Sequence, residues 1–474
     1  MPGAPSLITT PSRQRLFTIL ISLASFMVTL DVSIVNVSRP VIESAYGTGI
    51  TLVSWVTIAY LISLASTLIA FGHLADMRGY RTIYLSGFLV FTVTSFLCAF
   101  APTIHILILC RFFQGIGAAM LLSIGGAMIA VYLPSGIRGW ALGMLSMFGA
   151  LGVAVGPAVG GFLTEALSWN WIFLINIPIG IGAILVGRRV LPGDTADMSH
   201  QKSFDGAGAG LLFVTLGSFL FAISLGRTVG YDFPLIPLAA FIFLAGAGLF
   251  LFRESRAGNP LIRLSLFRNR NYSFGNLGLF WVFFLYTGVI FLLPFYFETG
   301  CGFEPEISGM FLVIPALAQM ATAVVSGWLS DRIGSRIPCI AAGLCFACTM
   351  VFFTTVSTAT SLAVVIPGLV LFGVSVGFFV APNFRLILSH ATKPEAGMIT
   401  GIAMTVRNTG SAIGIAVVST VLVVVSGADS LYSTIPADDF NAGFHAVFLA
   451  LSIVAFVIIA LVFVSHENPE PDRA

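Results

Sequence analysis

Fourteen times along the 474 residues, a long apolar run breaks off at a short cluster of charge, glycine or proline. Each run is long enough for a membrane-spanning helix, which needs roughly 20 apolar residues. The runs lie near 15–37, 51–72, 82–101, 104–132, 139–164, 171–190, 206–225, 233–252, 273–297, 307–329, 337–356, 361–384, 397–426 and 442–465. Hydrocarbon offers no partner to a backbone N–H or C=O, so such a segment must satisfy its own groups and folds as a helix. Composition agrees, because 57% hydrophobic and 9% charged residues leave too few polar groups to clothe a soluble surface. The predicted fold class is an all-α polytopic membrane protein with 14 transmembrane helices. An even number of crossings puts both termini on one side.

Orientation is read from Lys and Arg alone, since acids contribute little to the bias. With the N-terminus placed in the cytoplasm, 18 of the 22 basic residues fall in cytoplasmic segments, only Arg39 and Arg227 fall outside, and Arg111 and Arg407 lie within apolar runs. The predicted location is therefore the inner (plasma) membrane, with both termini cytoplasmic. The polar first 14 residues hold no short apolar core before a cleavage site, so the first span is expected to act as an uncleaved signal. A net charge of +2 implies no nucleic-acid partner. Of the six cysteines only Cys301 falls in an outer loop, so no disulfide framework is predicted. Cys345 and Cys348 have redox or metal spacing, but inside an apolar run without nearby His or acid they read as packing.

The chain also repeats. GHLADMRGYR, residues 72–81, returns as GWLSDRIGSR, residues 327–336, and the five positions Gly72/Gly327, Leu74/Leu329, Asp76/Asp331, Gly79/Gly334 and Arg81/Arg336 are identical. Internal repetition at equivalent helix ends points to two related halves, a plan common among transporters. If each decapeptide follows the second helix of its half, residues 1–190 form one six-helix bundle, 272–474 the other, and 191–271 hold connectors and two inserted helices. The Arg residues of those connectors either contact anionic lipid headgroups or line solvated loops. No G-x-x-x-x-G-K-[ST] loop occurs, which excludes ATP hydrolysis by this chain, and no His pair has haem or metal spacing. No enzyme activity, cofactor or metal is predicted. A secondary transporter, driven by an ion or substrate gradient, remains.

Three sets of residues could carry its chemistry. Asp31 lies inside the first run and Arg111 inside the fourth, about 24 Å and 12 Å from opposite ends of their helices, which brings them to similar depth. A carboxyl in hydrocarbon is retained only if it faces protein or water. Asp31 is therefore either a proton carrier or a structural counter-charge, and Arg111, with Gln114 one turn on, either its relay partner or a static ion pair. Gly149, Gly152, Gly156 and Gly160 form one stripe in the fifth run, with Pro157 inside it and Gly161 beside it. Small residues at that spacing let another helix approach, and Pro157 removes the hydrogen bond to the Val153 carbonyl, so the stripe is either a packing seam or a hinge. Arg407, in the thirteenth run, stands roughly 15 Å deep with no acid of matching depth in the second half.

These residues resemble the major facilitator superfamily, and within it the fourteen-span drug:proton antiporter branch. GHLADMRGYR is similar to the superfamily's motif after span 2. LDVSIVNVSRP (30–40), RFFQGIGAA (111–119) and GVAVGPAVGG (152–161) resemble the branch's motifs of spans 1, 4 and 5, and SWNWIFLINIPIG (168–180) and MTVRNTGSAIG (404–414) also read like it. The resemblance implies two bundles alternating around a central cavity, with proton coupling at Asp31 and Arg111. It further implies a cytoplasmic gate at Gly72, Asp76, Arg78, Gly79, Arg81, Asp331, Arg332 and Gly334, and an antiport hinge at Gly152, Gly156, Pro157, Gly160 and Gly161. Exporters of lipophilic cations often carry a further acid in a second-half helix, where this chain's tenth run offers only Gln319.

The expected function is a proton-coupled antiporter exporting amphipathic or lipophilic small molecules, cationic drugs foremost, through a cavity lined from its 43 Phe and 13 Met. Gln114, Gln319 and Arg407 are the candidate substrate or coupling residues. Expected partners are the small-molecule substrate, protons and membrane lipids, and the expected state is a monomer. Two rivals stand: an exporter dedicated to one neutral or anionic compound anchored by Arg407, and a lipid-handling or signalling protein on the same scaffold.

Overall fold

The computed structural model describes residues 7–194, 204–229, 233–389, 393–427 and 436–464. Of the basic residues counted above as cytoplasmic, Lys202 and Arg473 lie outside the described residues. Among the described residues no strand occurs, and fourteen helices are long and apolar enough to cross a membrane. These spans 1 to 14 are Pro11–Tyr46, Leu52–Arg78, Tyr80–Ala99, Ile104–Tyr132, Ser135–Ala166, Trp171–Val190, Gly206–Gly226, Leu235–Glu254, Arg270–Gly300, Ile307–Ile333, Arg336–Phe353, Leu362–Leu388, Ala396–Ser426 and Ala437–Val464.

Local chemistry sets their ends. The Thr103 hydroxyl accepts from the Ile106 amide at the start of span 4, and the Asn269 carboxamide accepts from Asn271 and Tyr272 at the start of span 9. Asp205 receives the Gly208 amide at the start of span 7 and two hydrogen bonds from Arg253 at the end of span 8, at 3.0 and 2.6 Å. Those Arg253 bonds hold the Asp205 carboxyl below its usual range and close the base of the inserted pair.

Two departures from the expected boundaries are informative. Span 1 continues past 37, through Pro40, to Tyr46, where Gly47 ends it with φ 61°. Pro40 leaves the Asn36 carbonyl without its helical donor, and the Arg39 Nε takes that place at 3.3 Å. Spans 2 and 10 run through most of their decapeptides as helix, so Gly79 alone separates spans 2 and 3. Gly79 and Gly334 have φ of 98° and 86°, backbone that a side chain resists. The charged break is the last turn of a helix and a corner of one residue, Gly79, or two, Gly334 and Ser335, rather than a loop.

The helices cluster into two compact units. The first comprises the described residues within Met1–Arg138, Leu151–Arg268 and His390–Thr405. In it span 4 packs on spans 2 and 3, span 1 touches spans 2, 4 and 6, and spans 7 and 8 pair with each other, span 7 also lying on span 2. The second comprises those within Gly139–Ala150, Asn269–Ser389 and Val406–Ala474, where span 12 packs on spans 9, 10 and 11, and span 14 on spans 9 and 11. Each unit thus contains the opening turns of a helix whose remainder belongs to the other.

Candidate functional site

Asp31 and Arg111, 80 residues apart in sequence, meet in the first unit with 2.5 Å between carboxylate and guanidinium. Both are within 1% of complete burial. The pair is wrapped by polar side chains from other spans. Gln114 accepts from Arg111 Nη1 at 2.7 Å and donates through Nε2 to Asp31 at 3.0 Å and to the Ser95 hydroxyl at 2.7 Å. Asn176 of span 6 donates to Asp31 at 3.1 Å, and Arg111 Nε donates to the Val56 carbonyl of span 2 at 3.1 Å. The Tyr60 ring lies 4.1 Å from the guanidinium carbon. A buried ion pair persists only when its remaining donors and acceptors are also met, and here spans 1, 2, 3, 4 and 6 all contribute. Two atoms stay unmet, Arg111 Nη2 and Asn176 Oδ1. Sequence depth brought Asp31, Arg111 and Gln114 together; Asn176 was missed, although a lone amide within IFLINIPIG is a signal of the same kind.

The repeated decapeptides build two equal structures. Asp76 accepts the Gly397 and Met398 amides of span 13, each at 2.7 Å, and the Tyr80 hydroxyl at 2.6 Å. Asp331 accepts the Gly139 and Trp140 amides of span 5 at 2.7 and 2.8 Å, with the Arg385 guanidinium at 3.4 Å. Each carboxylate therefore caps the N-terminus of another helix, where exposed amides and the helix dipole favour an anion. Glycine makes the approach possible: a Cβ on Gly72 would strike the Gly397 carbonyl oxygen, and one on Gly327 the Gly139 carbonyl oxygen. The repeated arginines also match, Arg81 donating to the Arg188 carbonyl at 2.7 Å and Arg336 to the Phe463 carbonyl at 2.8 Å, at the ends of spans 6 and 14. Arg78 is exposed, and Arg332, also exposed, lies 4.0 Å above the Trp328 ring. Asp194, which the sequence reading did not single out, caps span 3 through the Arg81 and Thr82 amides at 3.0 and 2.9 Å.

The glycine stripe of span 5 faces span 1. A Cβ on Gly152 would meet Thr29 and the Phe26 carbonyl, one on Gly156 would meet Ser33, and one on Gly160 would touch Ile34 at 3.3 Å, whereas Gly161 faces open space. The Val153 carbonyl, deprived of its donor by Pro157, receives the Ser33 hydroxyl at 3.1 Å. A second seam escaped the sequence reading. Gly410 and Gly414 of span 13 press on the Phe280 and Phe284 carbonyls of span 9, as Gly152 and Gly156 press on span 1. Without a proline, this stripe lacked the mark that flagged its counterpart.

Arg407 extends from span 13 over the Phe283 ring of span 9, 4.3 Å from its centroid. Gln319 of span 10 is buried, and its carbonyl oxygen has no hydrogen-bond partner. Among the described residues no group of three His, Cys, Asp or Glu side chains is placed to hold a metal.

The profile of the Major Facilitator Superfamily matches residues 21–415. This chain belongs to that superfamily. Among curated relatives, the riboflavin transporter RibZ of Clostridioides difficile is 33% identical over 84% of this major facilitator and 86% of its own length. The multidrug resistance protein Stp of Mycobacterium tuberculosis is 31% identical over 87% and 76%. Among solved structures, the human organic anion transporter MFSD10 superimposes with a TM-score of 0.69 at 14% identity, covering 96% of this major facilitator and all of that chain. The proton:xylose symporter XylE gives 0.64 at 13%, covering 95% and 97%. At such identities the two structures speak for the fold alone; the superfamily match, the curated relatives and the fourteen apolar helices make this major facilitator a multi-pass membrane transporter rather than an enzyme.

Proposed function

We propose that this protein is a proton-coupled antiporter that exports amphipathic small molecules from the cytoplasm, with both termini cytoplasmic and spans 1–6 and 9–14 as its two transporting halves. The observation that carries the reading is the buried Asp31–Arg111 pair with Gln114 and Asn176 around it. Protonating Asp31 removes the charge that holds Arg111 and turns an ion pair into a weaker bond between a guanidinium and a neutral carboxyl. Arg111 then has the Gln114 and Val56 acceptors to retain it, so the guanidinium keeps hydrogen-bond partners within the cluster while the proton stays on Asp31. The hold of span 1 on span 4 weakens by that step, and span 1 is also the helix against which the span 5 stripe packs.

The caps on spans 5 and 13 act as the gate, holding their helix starts until the cycle moves them away. The named relatives support small-molecule cargo, multidrug resistance in one case and riboflavin in the other. Asp31 is enclosed by its own donors and offers no face to a cation, which separates the proton site from the cargo site. Arg407, over Phe283, favours a second reading, a carrier whose cargo is neutral or anionic.

The test is purified protein in vesicles with an imposed pH gradient, an internal pH dye and a panel of lipophilic compounds. Wild type should release protons when cargo is added. Asp31→Asn should bind cargo with unchanged affinity and lose pH-driven flux at least tenfold, because the amide keeps the shape and cannot titrate. Full coupling in Asp31→Asn would sink the assignment.

A further inference from the structure

Two carboxamides reach Asp31, and they are held differently. Gln114 has its whole amide engaged: Nε2 donates to Asp31 and Ser95, and Oε1 accepts from Arg111 and, at 3.6 Å, from the Cys98 thiol. Asn176 is also buried, yet its amide makes a single bond, from Nδ2 to Asp31 Oδ1, while its own Oδ1 has no partner. A buried acceptor left idle costs free energy, so native structures rarely keep one without a use. Turning the Asn176 amide over breaks one hydrogen bond; turning Gln114 over breaks four. Asn176 also stands at a weak point of its helix. Span 6 is interrupted at Ile175, Asn176 opens the second segment, and Pro178 withholds a hydrogen bond from the Leu174 carbonyl. The segment before the break shares a core with span 1 through Ile172 and Phe173, and the segment after it lies on span 3, where Gly180 meets Thr92.

We propose that Asn176 senses the proton on Asp31: its amide donates to the ionised carboxylate and turns over to accept from the protonated acid. A proton from water forms an O–H bond at Asp31 Oδ1, the bond from Asn176 Nδ2 breaks, and a bond from the new O–H to Asn176 Oδ1 replaces it. No proton leaves the amide. Arg111 keeps Asp31 Oδ2, and Gln114 continues to donate to Oδ1, which as a hydroxyl still accepts. On Oδ2 the proton would face the Arg111 donor instead. The new hydroxyl needs an acceptor, and others at the cluster are taken, Gln114 Oε1 and the Val56 carbonyl by Arg111 and the Ser95 hydroxyl by Gln114. Arg111 of span 4, Tyr60 of span 2 and Cys98 of span 3 are the titratable groups around Asp31, and the Tyr60 hydroxyl, buried and unbonded, is the rival acceptor. Resting on the proton-coupling reading above, this assignment carries the Asp31 proton one step further, to the break in span 6.

The test is infrared difference spectroscopy on the full chain in nanodiscs, between alkaline and acidic buffer, with the side-chain carbonyls of asparagine isotope-labelled. Acid should bring up a carboxyl C=O band that Asp31→Asn abolishes, and with it a downward shift of a labelled amide C=O, because accepting a hydrogen bond polarises and weakens that bond. Asp31→Asn and Asn176→Leu should each abolish the amide shift, with the carboxyl band left in place by Asn176→Leu. If Asn176→Leu does not fold, Asn176→Thr decides. Its hydroxyl both donates and accepts, so the protein should keep the carboxyl band and pH-driven flux in vesicles while the labelled shift disappears. A carboxyl band without the labelled shift overturns the sensor and leaves proton coupling standing; displacement of that band in Tyr60→Phe then gives the bond to Tyr60. A labelled shift that persists without Asn176 overturns the sensor as well. Absence of any carboxyl band that depends on Asp31 overturns the sensor and the coupling together.

Discussion

Removing the guanidinium of Arg111 would leave the Asp31 carboxylate buried with only the Gln114 and Asn176 amides as donors. An uncompensated buried charge costs about 3–5 kcal/mol, more than the pair gains by forming. Arg111→Leu should therefore lower the thermal unfolding temperature sharply, and adding Asp31→Asn should recover most of the loss, because the second change removes the orphaned charge. Neither variant should couple transport to pH. Unfolding followed in detergent checks this, and an Arg111→Leu protein as stable as wild type would show that Asp31 needs no counter-charge at that position. Asp31 and Arg111 were legible in the sequence because a charge within an apolar run has few explanations and the helical rise fixes its depth. Asn176 was not, since an amide pays a smaller insertion penalty and stands out less. The amides that Asp76 and Asp331 cap could not be read at all, because a backbone N–H leaves no mark in side-chain identity.

At the scale of helices, Pro157 and Ser33 act as one device. The proline frees the Val153 carbonyl, and a hydroxyl on span 1 takes it, so the gap in span 5's hydrogen bonding and the contact with span 1 depend on each other. Pro157→Ala gives Val153 a backbone donor again, and the Ser33 bond then becomes redundant. Ser33→Ala should cost about 1 kcal/mol in the native background and close to nothing in the Pro157→Ala background. Unfolding free energies of the four proteins measure that coupling, and additive costs would show that Ser33 does not serve the carbonyl that Pro157 frees. Pro157→Ala alone should also slow turnover without unfolding the protein. The spans themselves were legible nearly to the residue where polar clusters bound them, as in Ile104–Tyr132 and Trp171–Val190. They were misjudged where helix continues into polar sequence: Ser38–Tyr46 and the decapeptides read as lying at or beyond the ends of apolar runs, yet helix persists there because Gly47, Gly79 and Gly334 supply the terminating backbone only later.

For the molecule as a whole, the question is whether its two caps open in one event. Each carboxylate binds two amides with its two oxygens, so an Asn in its place can satisfy only one of them and presents an N–H to the other. That loss is about 1 kcal/mol, roughly fivefold in the population of the capped state. Met398, 2% exposed, and Trp140 report on the starts of spans 13 and 5, and a cysteine at either position reads opening as its rate of thiol labelling. In a transporter that alternates as a body, both caps break in the same transition. Asp76→Asn should then raise labelling at Met398→Cys and at Trp140→Cys by the same factor, and Asp331→Asn should do likewise, although each substitution touches only one cap. With both aspartates replaced, the costs should add to about 2 kcal/mol, near thirtyfold in labelling rate. Two helix starts that frayed separately would respond only to their own aspartate. That pattern would show the repeated decapeptides to be local helix caps, and the gate assigned to them would have to be sought elsewhere.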